Sequence, residues 1–575
     1  MSRCSRRASS SATPIQRALL VGAVAAAVYV AWAASLSAHA PADWARLPSG
    51  HPDSDSPAAA ARPSAPRAEP RNVLLLVADD LKPMLNSHGA PRGLVRTPNM
   101  DRVAERGVRF LNAHCQMAVC GPSRASFLTS LRPDTLGIYQ MSRNLLHETI
   151  DGLYQAKKRR AITLPQLFKS HGYATFGVGK VFHDSEVALS RMADVWSAPM
   201  QTWFRSNATI VNPYKFGPWI SSIHGRADDS YTDGQIARAG VALLRGLAAG
   251  TKPWFLAIGF HATHLPWAVP PRYFDALPPV DSYPPPHHTG TPSGLTPEQF
   301  RVTQGSGCKE VGRFPNSPKR LAGWALTRGQ RLAAQRAYAA ATQFVDAQIG
   351  RILDALEASS AANTTHVVLM GDHGFHLDDK GIFCKHTNFE QGTRSLFVFA
   401  PALTDAYPRN EASLAPVELL DLMPTLADMA GFSQHAEWYP WEGTSLLPIL
   451  KREREYTKAA AVSQEFRLPR NANEPWTWGY TVRTTLYRFT VWVSTKDFDR
   501  KRPNFDFTEL YDVCADPGQS TSLFRRDALA TEAFLTMKWT GSARFSALKG
   551  KQPWDWDRRD KALNTSCVFG PAPFL

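Results

Sequence analysis

Short apolar runs alternate with helical patterns along the middle of this chain, and this alternation constrains its fold more than any other feature. Runs of strand length lie at residues 72–78, 173–179, 254–260 and 366–371. Each consists mainly of apolar residues at successive positions, which is typical of a strand buried on both faces. A long helical pattern over 329–359 leads into the last run. Strands that alternate with helices predict an α/β domain with a large, mainly parallel sheet between helices.

Other stretches of the chain are less regular. Residues 97–110 predict a helix, and the Pro-rich stretch 265–320 predicts an irregular surface excursion beside a site. Further along, 479–493 predicts a strand, a turn and a strand, and 509–519 predicts a strand that ends in a turn. We therefore predict two folded regions, a main domain over 71–455 and a smaller C-terminal α+β domain with an antiparallel sheet over 456–575.

The N-terminus has the pattern of a chain that enters the secretory pathway. Residues 1–17 form a basic flank, and residues 18–40 are apolar over a length that spans a bilayer. This segment is either an uncleaved single-pass membrane anchor or a signal peptide that is cut near Ala40, and both interpretations stay open. Residues 41–70, rich in Ala, Pro and Ser, predict a linker. The rest of the chain is then expected in the lysosome, the Golgi lumen or the extracellular space.

In the secretory pathway, sequons can be glycosylated and cysteines can form disulfides. The candidate glycan sites are Asn207, Asn363 and Asn564. Two couples of cysteines are placed so that either could form a disulfide: Cys115 with Cys384, and Cys514 with Cys567. Seven cysteines in 575 residues are too few for a disulfide scaffold, and the zinc pattern Cys-x-x-Cys does not occur.

Polar residues follow each of the four buried runs. They are Asp79 and Asp80, then Lys180 with His183, then His261, and finally Asp372 with His373. Because ligands bind beyond the carboxyl ends of parallel strands, we expect these side chains to meet at one edge of the sheet. A single aspartate after a strand is usually a cap or turn residue. Three aspartates in this arrangement favour a metal site for Ca²⁺ or Mg²⁺.

The segment that begins at Cys120 has the features of an anion site. Pro122 suits the first turn of a helix, where backbone amides and the helix dipole favour an anion near Cys120. Arg124 adds a fixed cation with paired donors for an oxyanion. The alternative interpretation is a buried free cysteine at an ordinary helix start.

These residues resemble the type I sulfatase family, which has the alkaline-phosphatase-like fold, and within it the iduronate-2-sulfatases. Residues 120–124 match the family signature Cys-x-Pro-Ser-Arg. Further matching motifs follow the expected order: ADDLKP (78–83), RPDT (132–135), GVGKVFH (177–183), GFHATHLP (259–266), GDHGF (371–375), KHTNFE (385–390) and GYTVRTTLYRFTVWV (479–493).

The resemblance implies a sulfuric ester hydrolase that acts on a sulfated saccharide. The formylglycine-generating enzyme would oxidise Cys120 to Cα-formylglycine, whose hydrate would attack sulfur and displace the alcohol. One Ca²⁺ would be held by Asp79, Asp80, Asp372, His373 and the modified Cys120. Arg124 would hold the modified residue. The sulfate oxygens would be held by Lys180, His261 and Lys385, with His261 or Lys385 protonating the leaving group and His183 acting as the base for sulfate release.

Two stretches depart from the family pattern. Ser130 stands where a glycine usually follows the threonine of the signature helix. After Asp-His-Gly, the iduronate-2-sulfatases carry Trp and then Leu-Gly-Glu-His-Gly, whereas this chain has Phe375 and then His-Leu-Asp-Asp-Lys-Gly over 376–381. Because the second stretch lies beside the substrate in the family, the position of the sulfate on the saccharide stays open.

The net charge of +15 favours a polyanionic partner. No nucleic-acid recognition motif accompanies this charge, so we expect a sulfated glycan and no nucleic acid. Two alternatives stay open: a phosphodiesterase or phosphonate hydrolase of the same superfamily, and a catalytically inactive glycan-binding homologue. The complete set of Cys120, Arg124, Lys180, His183 and Lys385 argues against the inactive homologue.

Overall fold

The computed structural model describes residues 69–89, 93–140, 161–183, 195–198, 200, 220–221, 227–285, 288, 290–304, 327–432, 438, 440–467, 476–494 and 505–523. The predicted segments 1–17 and 18–40, and nearly all of 41–70, lie outside these residues, as do Asn207, Asn564 and Cys567. Within the described ranges, no helix is both long and apolar enough to cross a membrane.

The chain divides into two compact units. One comprises Met1–Glu69, Leu468–Trp478 and Trp492–Phe507, and the other comprises all remaining residues. In the first unit, the rings of Trp492 and Phe507 stack with their centroids 5.9 Å apart. The second unit contains every predicted catalytic and metal-binding residue.

A seven-stranded sheet is the centre of the second unit. Its strands are β1 (Asn72–Ala78), β2 (Val108–Phe110), β3 (Ala174–Gly179), β4 (Trp254–Phe260), β5 (Thr365–Gly371), β6 (Phe397–Ala400) and β7 (Glu411–Ser413). Their order across the sheet is β7-β2-β6-β5-β1-β4-β3. Within this sheet, β6 runs antiparallel to both of its neighbours, and every other neighbouring pair is parallel. The prediction of a large, mainly parallel sheet is confirmed.

Helices of different lengths connect these strands. The longer ones are α1 (Pro98–Glu105), α2 (Cys120–Thr129), α3 (Leu164–Ser170), α4 (Thr232–Ala248), α5 (Pro297–Gln304), α6 (Arg328–Glu357) and α7 (Leu422–Ala430). Shorter helices span Pro133–Leu136, Pro271–Asp275, Glu390–Thr393 and Leu447–Leu450. Single turns of 3₁₀-helix span Asn86–His88, Asp228–Ser230, Val280–Ser282, Asp379–Gly381 and Leu419–Asp421. Two-residue strands lie at Ala113–His114, Ile220–Ser221, Trp267–Ala268, His376–Leu377, Phe383–Cys384 and Val417–Glu418.

The two faces of the large sheet bury separate sets of apolar side chains. Leu75 and Val77 of β1 belong to a cluster with residues of α2, α3 and α7. Leu74 and Leu76 belong to another cluster, with residues of α1, α4 and α6. Neighbouring residues of a strand point to opposite faces. Because helices cover both faces, β1 is apolar at successive positions, and the predicted layered α/β architecture is confirmed.

The predicted helix over 97–110 is wrong in its second half. Helix α1 ends at Glu105, and β2 pairs with β6 and β7 instead of continuing the helix. Gly107 shows the reason, because a Cβ atom there would lie 1.8 Å from the backbone oxygen of Phe399. Because glycine has no side chain, the backbone of β6 can lie against residue 107, and the residues that follow pair with β6 as strand β2.

The Pro-rich stretch 265–320 contains more core structure than the predicted surface excursion. Trp267 and Tyr283 are each only 1% exposed. Both belong to an apolar cluster with residues of α6. The segment 305–326 lies outside the described residues.

A separate four-stranded antiparallel sheet follows the main sheet in the chain. Its strands are β8 (Ala461–Arg467), β9 (Thr477–Arg483), β10 (Tyr487–Ser494) and β11 (Phe505–Asp512), in that order across the sheet. The predicted antiparallel sheet near the C-terminus is confirmed.

The predicted couple of Cys115 with Cys384 is wrong, because Cys115 carries a free thiol. These two cysteines belong to different apolar clusters, one against α2 and the other against α6. Cys384 and Cys514 are each disulfide-bonded. The couple of Cys514 with Cys567 stays a prediction.

Of the three sequons, Asn363 is described, and it is exposed in the turn between α6 and β5.

Ser130 ends α2 in the left-handed conformation, with φ 57° and ψ 31°. This conformation favours glycine, the residue of the family pattern. The Ser130 hydroxyl donates to the backbone oxygen of Leu420 at 2.8 Å and accepts from the backbone nitrogen of Gly443 at 3.1 Å. The serine therefore satisfies two backbone groups from a distant part of the chain, which offsets the strain at its own backbone.

We expect Ser130→Ala to lower the free energy of unfolding by about 1–3 kcal/mol, because two backbone groups lose their partner while the strain remains. Ser130→Gly should cost less, since glycine adopts this conformation freely. Ser126 is a matched control on the same helix, because its buried hydroxyl has no hydrogen-bond partner in the described part of the chain. Urea unfolding gives the comparison, and equal losses for Ser130→Ala and Ser126→Ala would contradict the capping role.

Candidate active site

The four strands that end in predicted site residues are neighbours in the sheet. β3, β4, β1 and β5 lie side by side and run in the same direction. Residues that follow these strands therefore lie at one edge of the sheet. Cys120, the first residue of α2, is at this edge: its Sγ lies 3.3 Å from Nε2 of His373 and 3.7 Å from Oδ1 of Asp80.

Arg124 joins three of the strand ends from the first turns of α2. Its Nε donates to Oδ2 of Asp372 at 3.0 Å, and its Nη2 donates to Oδ1 of Asp79 at 3.1 Å. Its Nη1 donates to the backbone oxygens of Lys180 and Val181. The side chain is 1% exposed. Burial acts to lower the pKa of Arg124, but Asp372 and Asp79 outweigh that effect and raise it.

Two lysines add positive charge beside Asp79, which Arg124 also contacts, and beside Asp80. Lys180 donates to Oδ2 of Asp79. Burial acts to raise the pKa of Asp79, but Lys180 and Arg124 together hold it well below its usual range. Lys385 donates to Oδ1 of Asp80 at 2.6 Å and lies 3.3 Å from Sγ of Cys120. Three carboxylates, counting Asp372, are thus balanced by three cations.

His264, which the motif-based assignment left out, lies at this centre. One ligand atom each from Asp79, Asp80, Cys120 and His264 all lie within 4.8 Å of one another. The visible signal was the motif HATH over 261–264, which offers two histidines three residues apart. Only the folded loop shows which of them approaches Cys120.

His261, which the resemblance assigns to the sulfate and not to the metal, follows β4 directly. Its backbone nitrogen donates to Oδ1 of Asp233 at 2.7 Å. Burial, followed by the charge of Lys180, lowers the pKa of His261 to about 3. The same two causes lower the pKa of His183 to about 3. Both imidazoles are therefore neutral near pH 7, and Nδ1 of His183 has no hydrogen-bond partner among the residues that the structure describes.

The side chains around Cys120 fit a divalent cation. Oδ2 of Asp80 is buried and lacks a hydrogen-bond partner within the described ranges. Nδ1 of His373 lies 2.8 Å from the backbone oxygen of Gly374, which can only accept, so Nε2 keeps its lone pair for a ligand. A second group of potential ligands comprises Cys120, Asp372 and His373. Because carboxylate oxygens predominate, the donor set favours a hard ion such as Ca²⁺ over zinc.

The Cys120 thiol is poorly suited to act as a nucleophile without modification. Burial, followed by the negative charge of Asp79, raises the pKa of Cys120 well above its usual range. The thiolate is the nucleophilic form of cysteine, and the thiol is protonated near pH 7 under these conditions.

The residues that depart from the family pattern at 375–381 are buried. Phe375 packs on the ring of Tyr338, with the centroids 5.6 Å apart. Asp378, Asp379 and Lys380 are no more than 4% exposed. Asp378 pairs with Arg331 at 3.1 Å. These contacts tie the departing stretch to α6 through Tyr338 and Arg331.

Comparisons with known proteins agree with this fold and identify the family. Residues 71–432 match the sulfatase family. The chain is 32% identical over 405 residues to a sulfatase of Formosa agariphila, which covers 68% of this chain and 75% of that protein. It is 28% identical over 516 residues to iduronate 2-sulfatase of Homo sapiens, and this match covers 79% of this chain and 91% of that protein.

Solved structures share the fold at lower identity. A structure of a 2-O GAG sulfatase covers 87% of this chain and 96% of its own, with a TM-score of 0.58 and 20% identity. The structure of phosphonate monoester hydrolase of Agrobacterium radiobacter covers 81% of this chain and 94% of its own, with a TM-score of 0.61 and 19% identity. The fold and the site thus define a hydrolase of the alkaline-phosphatase-like class. The chain belongs to the sulfatase family and is a sulfuric ester hydrolase.

We expect Arg124→Met to lower the free energy of unfolding by about 3–5 kcal/mol, because Asp79 and Asp372 lose the buried cation that they share. The control is Arg102→Met, which removes an exposed ion pair with Asp354 and should cost at most about 1 kcal/mol. Urea unfolding of both variants provides the measurement. Losses of similar size would show that Arg124 is not needed to hold the strand ends together.

Proposed function

We propose that this sulfatase removes sulfate from a sulfated saccharide, and that it uses a formylglycine made from Cys120 together with one Ca²⁺. The observation that carries the proposal is the position of Cys120, at the first turn of α2 among three carboxylates, two imidazoles and three cations. The intact Cys-x-Pro-Ser-Arg signature at residues 120–124 supports the modification. The buried, protonated thiol supports it too, because it would be a weak nucleophile if unmodified.

The cation would be held by Asp79, Asp80, Asp372 and His373 with the modified Cys120. When bound, Ca²⁺ would stabilise negative charge that develops on the sulfate oxygens. The three carboxylates and three cations of the centre cancel, so a dication leaves a surplus of two positive charges. That surplus favours the binding of a sulfate ester, which is an anion.

The basic residues of this chain would orient the sulfate and move protons. Lys180 and Lys385 project their ammonium groups at Asp79 and at Cys120, where they can also hold sulfate oxygens. We assign the third position on the sulfate to His264 in preference to His261, because His264 shares the centre with Cys120. His264 or Lys385 would protonate the leaving alcohol, and neutral His183 would accept a proton as sulfate leaves.

The saccharide substrate is supported by the names of similar proteins and by charge. The names iduronate 2-sulfatase and 2-O GAG sulfatase each describe the removal of sulfate from a saccharide. The net charge of +15 suits an acidic glycan. The formylglycine-generating enzyme would act during passage through the secretory pathway, to which the segment 18–40 would direct the chain. The position of the sulfate is left open, since residues 375–381 differ from the iduronate-2-sulfatase pattern.

Hydrolysis of a phosphonate monoester is the second candidate function. It is favoured by the likeness in fold to the phosphonate monoester hydrolase. Sulfate is preferred because the relatives at 28–32% identity are sulfatases.

We expect mass spectrometry of the Cys120 peptide from active protein to show formylglycine, and we expect Cys120→Ser to abolish normal turnover with the fold intact. Cys115→Ala is the control, because Cys115 is also a buried free cysteine but lies outside the signature. Assays on sulfate and phosphonate esters of one alcohol should favour the sulfate ester. An unmodified thiol in fully active protein would refute the modification, and a preference for the phosphonate would support the second candidate.

We also expect hydrolysis of a sulfated acidic oligosaccharide to fall more steeply with ionic strength than hydrolysis of an aryl sulfate. A polyanion gains affinity from a basic surface, and salt screens that gain. The measurement is kcat/KM for both substrates across a series of NaCl concentrations. Parallel slopes would mean that the basic surface takes no part in capturing the substrate.

A further inference from the structure

Tyr338 lies directly behind the active centre, in the middle of α6, and is fully buried. Its hydroxyl donates to the backbone oxygen of Asp80 at 2.7 Å. The same hydroxyl accepts from the backbone nitrogen of Lys82 at 2.9 Å and from Oγ1 of Thr263 at 3.1 Å. One phenol oxygen therefore makes three hydrogen bonds, and each of them reaches a segment that carries site residues.

The first of these segments is the turn over 79–82, which we call the ligand turn. Asp80 has a left-handed backbone there, with φ 59°. This conformation costs a residue other than glycine about 1–2 kcal/mol, so bonds from outside must hold it. The Asp80 nitrogen donates to Oδ1 of Asp372 at 2.9 Å, and Tyr338 binds the Asp80 oxygen. Tyr338 thus completes the hold on the strained peptide next to the Asp80 carboxylate.

The second segment is the loop over 261–264, which we call the histidine loop. The Thr263 nitrogen donates to the backbone oxygen of Asp79 at 2.9 Å. Trp267 Nε1 donates to the Thr263 oxygen at 2.8 Å. With its hydroxyl on Tyr338, Thr263 is bound from three directions. The residue that follows it is His264, which lies at the centre with Cys120.

The ring of Tyr338 is itself held by aromatic neighbours. It stacks on Phe375 at 25° between planes and meets the edge of Trp267, with the centroids 5.6 and 5.8 Å away. Burial raises the pKa of Tyr338, so the hydroxyl keeps its proton and can donate across the working pH range. Phenylalanine would preserve these ring contacts and remove only the hydroxyl.

We propose that Tyr338 is a positioning residue, whose hydroxyl fixes the ligand turn and the histidine loop relative to each other. It thereby sets the affinity of the centre for its cation and the placement of His264 beside Cys120. This inference rests on the proposed function, because it takes the centre to hold Ca²⁺. Without the hydroxyl, the Asp80 oxygen and the Lys82 nitrogen would each lose a buried partner.

The test compares Tyr338→Phe with Tyr283→Phe in the full chain. Tyr283 is a matched control, because it is 1% exposed and its hydroxyl donates to the backbone oxygen of Leu94 at 2.9 Å, away from both segments. Thermal unfolding is followed as CaCl₂ is added to protein treated with a chelator. Without Ca²⁺ both variants should lose similar stability. Only Tyr338→Phe should need about 10–100-fold more Ca²⁺ for half-maximal stabilisation, as for other residues that orient metal ligands.

The kinetic constants are a second measurement, and a residue with only a structural role would leave them unchanged. At saturating Ca²⁺, Tyr338→Phe should lower kcat on an aryl sulfate about tenfold or more and raise KM, because the displaced His264 would both hold the sulfate and protonate the leaving alcohol. Thr263→Val removes the hydroxyl that bonds Tyr338 and that also lies 3.3 Å from the backbone oxygen of Asp79, whereas the Thr263 nitrogen keeps its bond to that oxygen. Its effect on kcat should shrink when Tyr338 is already Phe, since both changes break the same link.

The outcomes separate this inference from the proposed function. Equal Ca²⁺ requirements for wild type, Tyr338→Phe and Tyr283→Phe would overturn the link to the cation, and additive effects on kcat would overturn the link to His264. If wild type itself gives no response to Ca²⁺, the proposed cation is wrong. The comparison of kcat between the Tyr338 and Thr263 variants would still decide whether Tyr338 positions the histidine loop.

Discussion

The buried ion cluster around Arg124 is the interaction on which the rest of this site depends. Removing charges from water costs several kcal/mol each, so a cluster of buried carboxylates needs well-placed cations to offset that cost. Arg124 binds Asp79 and Asp372, which follow two neighbouring strands. Because Arg124 lies on the first turns of α2, the same bonds place Cys120 at the edge of the sheet. Helix α2, the two strand ends and the position of Cys120 are thus set by one network of charges.

A layer of neutral hydrogen bonds completes what the charges begin. Asp80 and Ser130 both have left-handed backbones, which are strained for residues with a side chain. Each is held by a hydroxyl, that of Tyr338 at Asp80 and that of Ser130 itself. Such bonds come from elements far away in the chain. Strain next to the Asp80 carboxylate is tolerated because the surrounding fold determines the backbone there more than once.

Several features could be predicted from sequence because their cause is local. β1 and β4 coincide with apolar runs at 72–78 and 254–260, since strands covered by helices on both faces need apolar residues at successive positions. Other features needed contacts between distant segments. The helical pattern over 97–110 continues through β2, but these residues join the sheet because Gly107 leaves room for the backbone of β6. The couple of Cys115 with Cys384 is wrong because the two cysteines pack in different apolar clusters.

By itself, the sequence determined the class of fold, the polar residues at the strand ends and the signature of residues 120–124, because periodicity and residue type carry that information directly. Tertiary structure decided which side chains meet. His261 and His264 are equivalent in the motif, and only the folded loop places a ring nitrogen of His264 within 4.8 Å of the donor atoms of Asp79, Asp80 and Cys120. It also showed that residues 378–380 are buried and that Tyr338 links two loops. Distances between residues far apart in the chain are set by packing, which no local pattern encodes.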